Sequence, residues 1–346
     1  MTTKHFSSVN GEELLPGSDV GGYYISHKIG EGGMGVVYGA QHPSIGKRVA
    51  IKVLGPAYCR DAAMVARFEQ EARLVNEIHH HNIVDIFQLG VLPDGRKYLV
   101  MEWLEGESLT GRIERGPIPA PEAVEILDAI ADGLIATHEK GIIHRDMKSD
   151  NVYLANARGQ VRVKLLDFGL AKLSGNDPRS VTKTKTGMVV GTPHYMSPEQ
   201  IRGKQADQRT DVYSLGVLAY KMLVGRLPWD GLPTDLLIHH LKTPPPLVGD
   251  SVPGTPPALS AMVARLMAKT PEERPTLPEL RTFFADLRAG RAAMPGHAAA
   301  AAPAPAAAAP AHAPAAKRPG WVYIVMVLAV LASGGIAFAI VAAAKG

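Results

Sequence analysis

One octapeptide, His144-Arg145-Asp146-Met147-Lys148-Ser149-Asp150-Asn151, crowds two carboxylates, two cations, an imidazole and a carboxamide together. Such a set can sit on a solvated surface loop, or it can form a loop built for catalysis. A second cluster is Gly30-Glu31-Gly32-Gly33-Met34-Gly35, a G-x-G-x-x-G spacing. A dinucleotide-binding fold would place a strand before that run and a helix after it. Here the β-branched Val36 and Val37 follow, so the glycines join two strands. No Gly-Lys-Ser/Thr follows, which removes the Walker A reading. A glycine-rich hairpin still lets the backbone approach phosphates with no Cβ in the way. Seventeen residues beyond Gly35, Lys52 closes the run Val49-Ala50-Ile51-Lys52. An ammonium inside an apolar strand needs a counter-charge or an anion. The following amphipathic segment offers Glu71.

These groups need a frame. Between residues 23 and 103, five β-rich runs alternate with turn residues: YYISHKIG, GVVYGAQH, RVAIKVL, IVDIFQLGVL and KYLVMEWL. Between the third and fourth, Met64, Phe68, Leu74, Val75 and Ile78 recur at helical spacing over residues 61–78. Five strands and one helix predict a small α+β lobe. From about residue 106 the pattern turns helical. A strong helix over 120–141 opens at Pro121 and closes at Gly141. Further helical patterns lie at 211–225, 235–242, 257–269 and 277–289.

The flanks read differently. Residues 1–22 read as a loose leader without the apolar run of a secretory signal. Residues 289–320 form a linker that is almost all alanine and proline over 292–316, and Pro295, Pro303, Pro305, Pro310 and Pro314 interrupt any helix. Residues 321–344 carry no charge and are long enough to span a hydrocarbon core of ~30 Å. A segment behind such a linker has no globular core to join, which favours a transmembrane helix. Lys317 and Arg318 precede it and only Lys345 follows, so the positive-inside bias predicts a single-pass protein of the cell membrane with residues 1–316 in the cytoplasm. Ala329, Ser333 and Ala337 are small enough for span-to-span contact, and so for a homodimer.

Composition narrows the classes further. The 346 residues carry 37 Lys plus Arg against 33 Asp plus Glu, a formal charge of +4. That mild excess, with no long basic run, argues against nucleic acid as a partner. Cys59 is the single cysteine, so no disulfide can form within the chain.

The glycine hairpin, Val-Ala-Ile-Lys, His-Arg-Asp-x-Lys-x-x-Asn, Asp167-Phe168-Gly169 and Ser197-Pro198-Glu199 occur in that order. Together they resemble the signature set of bacterial serine/threonine protein kinases, over residues 23–288. The resemblance implies a two-lobed α+β fold, with an N-lobe over 23–103 and a mainly helical C-lobe over 104–288. It also implies ATP between the lobes, Mg²⁺ or Mn²⁺, and transfer of the γ-phosphate to protein hydroxyls. By the same resemblance Asp146 accepts or orients the hydroxyl proton, and Lys148 offsets charge at the γ-phosphate. Asn151 and Asp167 hold metal, and Lys52 orients phosphates with Glu71 as its partner. Ile29, Gly30, Glu31, Gly32, Gly33, Met34, Gly35, Val36 and Val37 cover the nucleotide. Val37 and Ala50 roof the adenine, Met101 is the gatekeeper, and the backbones of Glu102 and Leu104 meet the base. Tyr153 forms the floor, an aromatic where relatives often carry an aliphatic residue. Thr192 belongs to the substrate-docking segment and, with Lys148, fits serine/threonine specificity. Glu199 pairs with Arg274, and Asp211 braces the His-Arg-Asp backbone. Thr184 and Thr186 are the implied regulatory phosphosites of the loop between Asp167 and Glu199.

Two other classes compete: a pseudokinase that only binds, and a small-molecule kinase of the same fold. Lys52, Asp146, Asn151 and Asp167 are all present, against the first. The Gly191-Thr192 and Ser-Pro-Glu segments argue against the second. His79-His80-His81 invites a metal reading. Adjacent histidines on a helix-to-strand turn are expected to point apart, so a structural role is favoured.

Overall fold

The computed structural model describes residues 13–32, 35–157, 159–167 and 193–292. All lie within one compact unit, Met1–Pro295. Its N-terminal part is an antiparallel sheet of β1 (Asp19–Val20), β2 (Tyr23–Gly32), β3 (Gly35–Gln41), β4 (Arg48–Leu54), β5 (Ile86–Val91) and β6 (Lys97–Glu102). The strand order is β1-β2-β3-β4-β6-β5. Strand side chains alternate faces, and β4 uses both. Val49, Ile51 and Val53 are at most 2% exposed and pack with Tyr38, Ile25 and Val100 on one face. Lys52 takes the other, opposite Leu99 of β6. The short α1 (Pro56–Cys59) leads into α2 (Ala62–Ile78), whose Phe68 and Ala72 pack against Leu54 and Leu99. Asp61 caps α2 by accepting from the N–H groups of Ala63 and Met64.

The sheet corrects the expected five strands to six. The additional β1 comes from the stretch read as leader, because Leu14 and Val20 are buried against the sheet and Leu14 N–H donates to Tyr38 Oη at 3.1 Å. Two glycines close the β1–β2 turn at positive φ, Gly21 at 62° and Gly22 at 88°, a region L-residues enter at a cost. Among the described residues, Leu14 and Val20 of the stretch read as leader thus pack with the sheet.

The C-terminal part contains the three-stranded sheet β7 (Gly106–Ser108), β8 (Val152–Ala157) and β9 (Gln160–Leu165), in that order. The rest is helical: α3 (Leu109–Glu114), α4 (Ala120–Glu139), α5 (Pro198–Ile201), α6 (Gln208–Val224), α7 (Pro233–Lys242), α8 (Val248–Ser251), α9 (Pro257–Leu266) and α10 (Leu277–Arg288). Every residue of α6 from 210 to 220 is buried, the signature of a helix enclosed on all sides. A Cβ at Gly216 would lie 2.6 Å from Leu266 Cβ, so glycine is what lets α6 and α9 approach. No helix among the described residues is long and apolar enough to cross a membrane. The linker beyond residue 292 and the apolar stretch 321–344 lie outside the described residues.

Candidate active site

Residues from both parts of the fold meet at one cleft. The β2–β3 hairpin supplies the glycines. A Cβ at Gly35 would fall 2.0 Å from Val53 O, so only glycine permits this approach to β4. A Cβ at Gly30 or Gly32 would meet nothing within 4 Å, so packing within the described residues does not demand glycine at these two positions. Gly33 and Met34 lie outside the described residues. Val37 pairs with Lys52 across β3 and β4, and Ala50 pairs with Met101 across β4 and β6. Ile29 is exposed, Val36 and Val37 are half-buried, and Ala50 is buried.

The Lys52 ammonium is mostly buried and donates to Asp167 Oδ1 at 2.7 Å. Burial alone would push its pKa down, but the charges of Asp167 and Glu71 and the bond to Asp167 outweigh it, so the net shift is upward. Glu71 of α2 thus acts on the same ammonium through its charge.

The octapeptide between α4 and β8 is tied down at several points. Asp211 of α6, fully buried, accepts from the N–H of His144 at Oδ2 and of Arg145 at Oδ1, both at 2.8 Å. His138 Nε2 lies 2.8 Å from the same Oδ2. This is the bracing expected of Asp211. Arg145 has φ 61° and Asp167 φ 33°, left-handed conformations that non-glycine residues hold only when surroundings compel them. Two bonds fix Arg145: the one to Asp211, and one from Gln200 Nε2 to Arg145 O at 3.2 Å. His144 is buried among Leu166, Asp211 and Asp146, and burial lowers its pKa. It packs, as expected.

Asp146, Lys148 and Asn151 converge. Lys148 Nζ stands 3.2 Å from Asp146 Oδ2. Asn151 Nδ2 donates to Asp146 O at 2.8 Å and reaches Asp146 Oδ2 at 3.3 Å and Asp167 O at 3.5 Å. With its nitrogen so used, Asn151 turns Oδ1 away from Asp146. That oxygen and the half-exposed Asp167 carboxylate are hard donors of the kind Mg²⁺ and Mn²⁺ prefer, so the residues fit such an ion.

At the connection between lobes, Glu102 N–H donates to Asp85 O at 2.9 Å. The Glu102 carboxylate accepts from Asp85 N–H, also at 2.9 Å, and pairs with Lys164 of β9. Lys164 is buried and also donates to Ile83 O at 3.0 Å. Sequence reasoning missed this tie, because Lys164 in a strand of alternating polarity looks solvated. Leu104 follows two residues beyond Glu102. Tyr153 lies in β8 between Ser108 and Lys164, half-buried, and burial together with Glu107 raises its pKa.

Below the cleft, Arg274 is 1% exposed and meets Glu199 with two bonds of 2.7 and 2.9 Å, the pair expected from sequence. Ser149, unremarked in the sequence, accepts from Thr110 Oγ1 at 2.8 Å and from Lys221 Nζ at 2.9 Å. Thr184, Thr186 and Thr192 lie outside the described residues.

Residues 23–283 match the family model described as protein kinase domain. The serine/threonine-protein kinase Pkn1 of Myxococcus xanthus is 43% identical over 269 residues, which cover 77% of this chain and 38% of that protein. PknJ of Mycobacterium tuberculosis is 37% identical over 266 residues, 76% of this chain and 44% of its own. The fold is similar to the crystal structure of the M. tuberculosis PknI kinase domain, with a TM-score of 0.62 and 26% identity, covering 79% of this chain and 99% of that one. The chain thus spans less than half the length of these two curated relatives.

Proposed function

Because the chain belongs to the protein kinase family, its domain being of the bacterial serine/threonine type, we propose that it transfers the γ-phosphate of ATP to serine and threonine hydroxyls of protein substrates. The observation that carries this reading is the convergence of Lys52, Asp146, Lys148, Asn151 and Asp167 from separate elements on one cleft. In the reaction the substrate oxygen attacks the γ-phosphorus, the bond to the β-phosphate oxygen breaks, and ADP leaves. Asp146 orients the hydroxyl and takes its proton. Lys148 offsets charge on the equatorial oxygens, and Lys52 holds the nonreacting phosphates. The backbone of the glycine-rich hairpin would approach them without Cβ groups in the way. Asn151 and Asp167 would hold Mg²⁺ or Mn²⁺, which supplies charge neutralisation across the phosphates. Such chemistry depends on positioning and electrostatics, so the bracing of the octapeptide by Asp211 serves it directly. Met101 and the backbones of Glu102 and Leu104 would meet the adenine, and Tyr153 would close its lower side.

Regulation extends the same proposal. Arg145 Nε is buried and has no hydrogen-bond partner among the described residues. Burial pushes the guanidinium pKa down, only partly offset by Asp211. A phosphate on Thr184 or Thr186 would give that cation a counter-charge beside Asp146. Residues 321–344 would anchor the chain in the cell membrane with the kinase domain in the cytoplasm, and two anchored copies would phosphorylate each other. The experiment is an assay of the purified full chain with ATP, Mg²⁺ and an added protein substrate, followed by phosphoamino-acid analysis. Phosphoserine and phosphothreonine support the reading; a product formed only on small molecules overturns it.

A further inference from the structure

The triple histidine does not behave as expected. His79 ends α2 in a left-handed conformation, φ 44°, and this turns the next two side chains toward α4. The rings of His80 and His81 lie 4.4 Å apart, tilted by 33°. Both face one carboxylate oxygen: His80 Nε2 stands 3.4 Å from Asp132 Oδ2 and His81 Nε2 stands 3.7 Å from it. The three donor atoms all fall within 4.8 Å of one another. A tetrahedral ion with bonds of about 2.0 Å separates its ligand atoms by about 3.3 Å, so small side-chain adjustments would close the set.

Two further features suit an ion here. Asp132 Oδ1 is held by Arg281 of α10, which fixes the carboxylate and leaves Oδ2 turned to the imidazoles, the arrangement that outer partners give metal ligands. Asn82 follows the histidines directly and lines the same open groove as His81 and Asp132. It is 4% exposed, its Nδ2 donates to Val163 O at 2.8 Å, and its Oδ1 has no hydrogen-bond partner among the described residues. That orphan oxygen is an unsatisfied acceptor in the lining of the same groove. One contact would be given up: His80 Nδ1 accepts from Asn82 N–H at 3.2 Å, and ligation through Nε2 places the ring proton on Nδ1.

We propose that His80, His81 and Asp132 form a binding site for a divalent transition ion of the Zn²⁺ class, separate from the candidate active site. Two imidazoles and one carboxylate with an open position suit zinc far better than magnesium. The ion would clip the segment between α2 and β5 to α4, and so tie the helix that carries Glu71 to the C-lobe.

The probe is Zn²⁺ itself, titrated calorimetrically into chelator-stripped full-length chain with Mg²⁺ in excess to occupy hard oxygen sites. One equivalent is expected to bind. The His81→Ala variant should weaken that affinity by about tenfold or more, on the scale of 10–100-fold known for lesser, outer-partner changes. His81 is the exposed member of the set, so its loss leaves the fold intact, and a circular dichroism spectrum confirms that. His42→Ala, which removes a half-buried histidine between β3 and β4 that is not part of the set, should bind as wild type. Co²⁺ gives a second reading, with visible bands of a four-coordinate centre in wild type and none in His81→Ala or Asp132→Asn. Failure to bind Zn²⁺, or equal affinity in wild type and His81→Ala, overturns the site.

Discussion

Lys52 shows what a single residue contributes and what it does not. Its ammonium bonds Asp167 and feels Glu71, while packing on the far face of β4 rests on Val49, Ile51 and Val53. Lys52→Met should therefore lower phosphoryl transfer by roughly 10²–10³ and leave cooperative thermal unfolding in place. A steady-state assay beside a melting curve checks both, and wild-type turnover in the variant would refute the assignment. Asp146→Asn removes the proton acceptor at nearly constant shape, and a loss of about 10²–10⁴ is expected. These residues were legible in the sequence because type and spacing together are restrictive: a lysine ending an apolar strand, or a carboxylate two residues after a histidine. Lys164 was not legible, since its partner Glu102 lies 62 residues away and no local pattern marks the pair. Nor was the convergence of His80 and His81, which depends on one left-handed residue, His79.

Elements hold these residues through a few buried ties. The Glu199–Arg274 pair joins α5 to the segment before α10 and is nearly sealed from water. Glu199→Gln leaves a buried guanidinium without its counter-charge, at a cost of about 3–5 kcal/mol, measurable by urea unfolding. The pH dependence has a definite sign. Burial would raise the Glu199 pKa, but bonding to Arg274 more than reverses this, so the folded value is depressed. Its contribution is present above the ordinary carboxylate range and is lost as pH falls through the depressed folded value. The gap in stability between wild type and Glu199→Gln should thus be full at pH 7 and shrink on acidification; a gap that widens would contradict the pairing. Strands β2 to β6 and the longer helices were legible, because period-two runs and α4 in particular carry strong patterns, whereas β7, β8 and β9 went unread inside a stretch that looked helical. The strand β1 was missed because two residues are too short to show a period. What makes β1 a strand is the burial of Leu14 and Val20 against a sheet the local sequence does not reveal.

At the scale of the whole molecule, the kinase domain, the alanine-proline linker and the apolar stretch 321–344 make a combined proposal: a membrane-held enzyme whose copies activate one another. The full chain should sediment with membranes, and protease added outside intact cells should leave residues 1–316 uncut. Thr184→Ala/Thr186→Ala should slow phosphorylation of an added substrate several-fold, with Lys52 and Asp146 unchanged, because Arg145 would lack a phosphate to pair with. Mass spectrometry of active protein should find phosphate on one or both threonines in wild type. Motif order across residues 23–288 made the domain readable from sequence alone, whereas the substrate is not encoded in any local pattern of the catalytic cleft. The most direct test compares purified full-length wild type with Asp146→Asn, using γ-labelled ATP, Mg²⁺ and an added protein substrate. Label on serine and threonine of the substrate with wild type, and a loss of at least about a hundredfold in the variant, is the predicted result. Equal labelling by the two proteins, or no labelling of protein by wild type, would contradict it.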